Sequence, residues 1–393
     1  MFRSKKKGTT AIAVFDISSS SVAGAHGLVD HVQGADGSVA TMLASARIDS
    51  PLQEDLDIVR FVSDTVKNLE AVALQLQKAD VHHPSHVQLV LASPWYVSQT
   101  RTISYQKDTP FLCSKKFFHS LVDAEIEHII AHELERFGDF GAEGIVVEKQ
   151  ISLVKLNGYA TADPFGKHAR SIEIYLTVTV VPKRVVDRFT DVLNRAYGSR
   201  RISITTSPYA TFVMTRDYFP NSHDSVIIDV GEEVTDVAFV KEGLFLYQHS
   251  FPVGTYGLYR ALMERQNHTP AEAKALVEGY RLGKVSAVAK KKIDKALAAF
   301  STAWQQSLQA ILNDGQYGFC LPETCYIIAD PRFAGVFPAI ISTDPFIQHT
   351  CSRGIVRPVF LDNDSLRGLV SSLDAGELDV PLAAAILFVT RTL

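Results

Sequence analysis

The stretch Ser225–Val240, SVIIDVGEEVTDVAFV, decides the reading of this chain. A run of apolar residues delivers a carboxylate, Asp229, into a turn at Gly231, and a second apolar run returns. Ala11–Val29 has the same design: AIAVF, then Asp16, a turn of small residues at Ser18–Ser21, and VAGAHGLV. Each stretch reads as a β-hairpin, and the recurrence of one design in the two halves of the chain implies two domains of like architecture.

A strand that carries an Asp into a turn of small residues sets a carboxylate beside free backbone N–H groups. That arrangement suits a phosphate with its magnesium. Ser18, Ser19, Ser20 and Ser21 offer hydroxyls and close backbone approach in the first hairpin, and Gly231, Thr235 and Asp236 serve the second. Asp16 and Asp229 would hold the metal through water. One such hairpin alone is a common turn. Two facing each other would clasp a single nucleotide.

Between the hairpins, Glu54–Lys78 places Leu56, Val59, Val62, Val66, Leu69, Val72, Ala73 and Leu76 on one helical face. A strand follows from Val87. From Ser93 to Pro182 the character changes. A helix over Lys115–Phe137 lies between β-rich stretches, the last of which alternates strictly as IEIYLTVTV, so 93–182 reads as an inserted α+β subdomain. Trp95, Tyr96 and Phe117–Phe118 at its edges suit either core packing or the gripping of a partner peptide. Lys183–Ala196 reads as an amphipathic helix, residues 270–314 as helical throughout, CYIIA from Cys325 as a strand and Leu382–Val389 as a closing apolar helix.

With 393 residues, 46% hydrophobic and 21% charged, the chain is of ordinary globular composition. A net charge of −4 gives no basic field, so nucleic acid is not an expected partner. No apolar run reaches the length of a membrane span and no secretory leader is legible, which points to a cytoplasmic protein. Cys113, Cys320, Cys325 and Cys351 fit no zinc pattern and read as buried free thiols. His128 and His132, and the group His82, His83 and His86, read as solvated polar residues rather than metal ligands. Lys290–Lys292 with Lys295, and Lys5–Lys7, read as solvated charge that could meet acidic lipid or a partner.

FDISSSSVAGA (15–25), IDVGEEVTDVAFV with FPVG at Gly254, TPAEAKAL (269–276) and DVPLAAAILFVTRTL (379–393) together resemble the actin-like ATPase superfamily. The branch in question contains the pilus-assembly protein PilM and the division protein FtsA. Residues 146–189 are similar to the SHS2-like subdomain that this branch carries. The resemblance implies an α/β, two-lobed actin-like fold of duplicated ribonuclease H-like design. Its expected parts are a first lobe at 1–92 and 183–222, the SHS2-like insert at 93–182, and a second lobe at 223–393 with a helical part near 258–320. It implies ATP and Mg2+ as ligands, with Gly254, Glu272 and Gly335 joining the hairpin residues, and Asp16 and Asp229 as metal carboxylates.

The sequence departs from that branch at Ser18, where a Gly is usual, at Glu232 and Glu233 in the second turn, and after Ile327, where a Gly-Gly pair is usual. Thr206–Ala210 offers no side chain to orient a water. The resemblance therefore implies slow or no hydrolysis and no catalytic residue. The expected function is a nucleotide-binding adaptor of type IV pilus or related secretion assembly, binding the cytoplasmic tail of an inner-membrane partner at the inner face of the membrane, with self-association possible. The alternatives are an FtsA-like division protein, disfavoured because the sequence ends at Leu393 without an amphipathic tail; a pseudo-ATPase scaffold; and, less, an active phosphotransferase.

Overall fold

A computed structural model describes residues 9–30, 40–50, 57–79, 83–198, 200–219, 223–266, 268–313, 320–350, 356–373 and 378–393. Strands β1 (Thr9–Ile17), β2 (Ser21–Asp30) and β3 (Ala40–Asp49) form an antiparallel meander, and helix α1 (Ile58–Ala79) crosses over to β4 (His86–Leu91), parallel to β1. The chain then builds β5 (Val97–Leu112), α2 (Lys115–Glu133), β6 (Gly144–Leu156), β7 (Tyr159–Ala160) and β8 (His168–Pro182). It returns through α3 (Lys183–Tyr197) to β9 (Arg201–Thr206), parallel to β4.

Helix α4 (Ser207–Tyr218) leads to a second meander, β10 (Ser225–Val230), β11 (Thr235–Lys241) and β12 (Leu244–Phe251). Helices α5 (Tyr256–Gln266), α6 (Pro270–Arg281) and α7 (Ala287–Asn313) precede β13 (Thr324–Ala329), which is parallel to β10. After α8 (Val336–Ile341) and α9 (Asp344–Ile347) come β14 (Arg357–Phe360), β15 (Val370–Ser372) and α10 (Val380–Thr392). Two sheets therefore share one strand order, β3-β2-β1-β4-β9 and β12-β11-β10-β13-β14. This is the duplication that the two Asp-bearing hairpins imply.

The end of the chain joins the two halves. β15 adds to the first sheet beside β3, and α10 packs on the same sheet and on α4. Segment 223–393 therefore supplies elements to both lobes. Every residue of α10 from Leu382 to Val389 is buried, as a helix that is apolar on all sides requires. Each large aliphatic side chain buried there contributes roughly 1.5–3 kcal/mol.

In the insert, the sheet order is β5-β8-β6-β7. The alternation in β8 turns Ile172, Ile174, Leu176, Val178 and Val180 into the core. Thr177 on the opposite face reaches the second lobe, its hydroxyl donating to the Leu246 carbonyl at 3.2 Å. Trp95, Tyr96 and Phe118 are core residues; Trp95 stacks on Phe61 at 4.4 Å and donates its indole N–H to the Ser18 carbonyl.

Several expectations need correction. In α1 the buried face runs through Phe61, Val62 and Thr65, while Val59 is solvent-facing, because the helix is rotated to put Phe61 on Trp95; Leu56 lies outside the described residues. Residues 270–314 are not one helix. Gly283, at φ +68, takes the left-handed conformation that ends α6, and α7 starts afresh. Helix α2 stops at Glu133 and continues as a 3-10 segment, Glu135–Ala142. Cys113 and Cys325 are buried free thiols, but Cys320 is disulfide-bonded and exposed. Cys351, His82 and Lys5–Lys7 lie outside the described residues.

Glu148 of β6 fastens the insert to the first sheet. Its buried carboxylate accepts from the Thr205 hydroxyl at 2.7 Å, the Thr206 N–H at 2.7 Å and the Thr206 hydroxyl at 2.9 Å. Burial pushes its pKa up despite these donors. Glu148→Ala strands the three donors and should cost about 3 kcal/mol in urea unfolding, whereas Glu148→Gln, which keeps an acceptor, should cost clearly less.

Candidate functional site

Both hairpin turns open onto one cleft between the lobes, with a volume of about 610 Å³. Of the residues expected at a nucleotide, Asp16, Ser18, Ser20, Ser21, Asp229 and Gly231 line it, whereas Ser19, Thr235, Asp236, Gly254, Glu272 and Gly335 do not. Those six have other partners or places. Thr235 donates to the Val253 carbonyl at 2.7 Å and accepts from the Trp304 indole N–H at 3.0 Å. Asp236 accepts from Ser93, across the lobes, at 2.9 Å. Glu272 forms a capping box with Thr269 at the start of α6. Gly335 is the residue before α8. A Cβ at Gly254 would stand 2.3 Å from the Glu232 carbonyl, so glycine alone lets this turn brace the second hairpin.

Each turn uses some of its own donors. Ser18 N–H donates to the Ser21 carbonyl at 3.0 Å, Ser20 and Ser21 N–H donate to the Ser18 hydroxyl at 3.2 and 3.1 Å, and Gly231 N–H donates to Val234 at 3.0 Å. Ser19 is spent differently: its hydroxyl donates across the lobes to the Glu232 carboxylate at 3.1 Å. The two turns therefore touch through a carboxylate.

A guanidinium fills the space beside Asp16. Arg47, projecting from β3, pairs with Asp16 at 3.4 Å, donates to the Ser21 hydroxyl, and grips Asp379 at 2.8 and 2.9 Å. Asp379 also caps α10, accepting from Leu382 N–H at 3.2 Å. Desolvation works against the Arg47 charge, but Asp379, Asp16 and Glu232 together raise its pKa. Burial pushes Asp16 up to about 6 against the pull of Arg47, with Asp379 and Glu232 adding to the rise. Asp229 rises to about 7, through burial first and then the repulsion of Asp236, although Ser207 donates to it at 2.5 Å.

A nucleoside triphosphate with its metal does not fit this arrangement. The N–H groups of Ser18, Ser20, Ser21 and Gly231 are used inside the turns, a carboxylate bridges the gap, and the lining carries eight acidic side chains against three basic ones. Among the described residues no group of three or more His, Cys, Asp or Glu is arranged to hold a metal ion. The other side of the cleft differs. Tyr256 and Tyr259 line it, each at most 3% exposed, with hydroxyls that find no hydrogen-bond partner among the described residues. Lys274 and Arg332 lie 5.8 and 5.9 Å from their respective ring centres.

Sequence reasoning missed Arg47, Asp379, Tyr256 and Tyr259. Asp379 carried a signal, since an Asp before Val-Pro-Leu is a helix N-cap. Arg47 carried none, being one cation on a strand whose partners lie far away in sequence.

The raised carboxyls imply a pH dependence. An Asp whose folded pKa lies above its unfolded value near 3.8 costs stability as pH rises from about 4 through about 7. Asp229→Asn keeps an acceptor for Ser207 and removes the charge. It should raise the melting temperature above pH 7, leave it little changed below pH 4, and flatten the slope between, as differential scanning calorimetry would show.

No family model matches the sequence, and no curated protein matches it. Among solved structures, a chain of the PilM–PilN type IV pilus biogenesis complex is 14% identical, with a TM-score of 0.62 over 97% of this chain and 98% of that one. The ethanolamine utilization protein EutJ from Carboxydothermus hydrogenoformans is 10% identical, with a TM-score of 0.45 over 98% and 92%. A protein of unknown function with an actin-like ATPase fold from Bacteroides thetaiotaomicron is 10% identical, with a TM-score of 0.38 over 96% and 95%. The first of these, matched end to end, fixes the architecture: the chain has the two-lobed fold seen in that chain of the PilM–PilN complex.

Proposed function

We propose that the chain is an actin-like adaptor of type IV pilus or related secretion assembly that works by holding a peptide tail of an inner-membrane partner, with no turnover of nucleotide. The fold shared with the PilM–PilN complex supports the setting. The observation that carries the binding role is a groove of about 260 Å³ between the insert and the first lobe, lined by His86, Gln150, Arg201, Ser203 and Tyr209 among others.

Three features suit that groove to an extended peptide. β9 is the terminal strand of its sheet, so its outer edge short of Thr206, whose N–H Glu148 takes, is placed to meet an added strand. His86 is 6% exposed, and its Nδ1 has no hydrogen-bond partner among the described residues. Burial lowers its pKa, so the ring is neutral near pH 7 and can meet a peptide N–H or C=O without a charge cost. Glu148 and Tyr209 fix the two walls relative to each other, Tyr209 by accepting from Gln150 at 2.8 Å.

In this reading the cleft between the lobes holds no nucleotide, and the bonds that the chain's own side chains make across it hold the two lobes as a platform for the groove. A nucleotide-switched adaptor is the second reading, favoured by the partnerless Tyr256 and Tyr259 hydroxyls beside the cleft.

The test is fluorescence anisotropy with synthetic peptides tiling the cytoplasmic tail of the PilN-type protein encoded in the same genome. One peptide should bind, and His86→Ala combined with Arg201→Glu should weaken it by about tenfold or more. Failure of every peptide to bind, or binding indifferent to these changes, would overturn the proposal.

A further inference from the structure

The tip of the α6–α7 hairpin carries charge that the fold does not use. Between Arg281 and Lys295 stand six basic residues and one acidic. Lys290 and the Tyr280 hydroxyl are taken by Asp294, at 2.9 and 2.6 Å. Lys284, Lys291, Lys292 and Lys295 are exposed and have no ion pair among the described residues.

Their placement works against local stability. Lys290–Lys292 sit at the N-terminal end of α7, where the helix dipole disfavours cations, and its first turn contains no acidic residue to compensate. Lys291 and Lys295 are four apart, a like-charge pair that repels across one turn. Val288, Lys291, Lys292 and Lys295 follow i, i+3, i+4, i+7 spacing and so share one face, which flanks the buried stripe of Ile293, Ala296 and Phe300. Two aliphatic side chains project at the same tip, Leu282 at 47% and Val288 at 67% exposed.

We infer that this tip docks on an anionic lipid surface, the lysines meeting headgroups while Leu282 and Val288 enter the layer beneath. Charge complementarity chooses the surface, and the aliphatic pair chooses lipid over other polyanions. A nucleic-acid site would want exposed aromatic rings for base stacking; the nearest, Tyr280, is part-buried and hydrogen-bonded to Asp294. The aliphatic chains have no role on a polyphosphate, whereas they suit the boundary between headgroup and acyl chain. This adds a direct membrane contact to the partner-mediated one expected from the sequence, and it stands independently of the peptide groove.

Vesicle co-sedimentation with the full chain tests it, comparing neutral phosphatidylcholine with a mixture containing about one phosphatidylglycerol in three. Wild type should pellet with the anionic vesicles alone and release as salt rises. Lys291→Glu combined with Lys292→Glu and Lys295→Glu should lower the partition coefficient on the order of a hundredfold, given the attraction of each lysine to an anionic surface. Leu282→Ser with Val288→Ser should lower it about tenfold while keeping the salt dependence. All five positions are exposed, so unchanged thermal transitions would show that the variants fold. Wild type left in the supernatant with anionic vesicles, either variant pelleting like wild type, or tighter binding to a single-stranded oligonucleotide or polyglutamate than to the vesicles would each overturn the inference.

Discussion

One guanidinium holds the centre of the molecule. Arg47 reaches from β3 to Asp16 at the end of β1, to Ser21 at the start of β2, and to Asp379 at the head of α10. Through Asp379 it fixes the helix that seals the first sheet against α4, and through Asp16 it neutralises part of a cleft rich in carboxylates. Asp16 is buried, whereas the Arg47 side chain is 33% and the Asp379 side chain 20% exposed, so the network runs from the core to the cleft surface, and removing Arg47 leaves the buried Asp16 carboxylate without its cation. The Glu232–Ser19 bond then brings the second lobe's turn onto this assembly.

The duplication was legible because it rests on local pattern: two apolar runs, an Asp and a tight turn, each repeated. The insert was legible for the same reason, since IEIYLTVTV alternates with the pleat of β8 and its apolar face fills the core. Features set by distant partners were hidden. The rotation of α1 that buries Phe61 and frees Val59 follows from Trp95, which no local periodicity reports. The break at Gly283 was overlooked because good helix formers on both sides masked a single left-handed residue.

At the cleft, types of residue were legible and their partners were not. Asp16 and Asp229 do face a shared space, as their position at strand ends requires. Thr235, Asp236 and Gly254 proved to be braces of the second hairpin. The Glu232 intrusion was visible in the sequence as a departure, but its contact with Ser19 joins residues far apart in the chain. Likewise, an Arg on β3 gives no hint that it will stand between two carboxylates.

Together these contacts describe a fold whose lobes are joined by protein groups across the cleft between the two hairpin turns. The groove between the insert and the first lobe is held separately, by Glu148 on Thr205 and Thr206 and by Gln150 on Tyr209. The most direct measurement is calorimetric titration of the wild-type chain with ATP and magnesium at neutral pH. The account predicts no saturable binding up to about millimolar ATP, that is, a binding free energy weaker than roughly −4 kcal/mol. Saturable binding at about micromolar concentration would show that Arg47 and Glu232 yield to a nucleotide, and it would contradict the account of a cleft occupied by the chain's own charges.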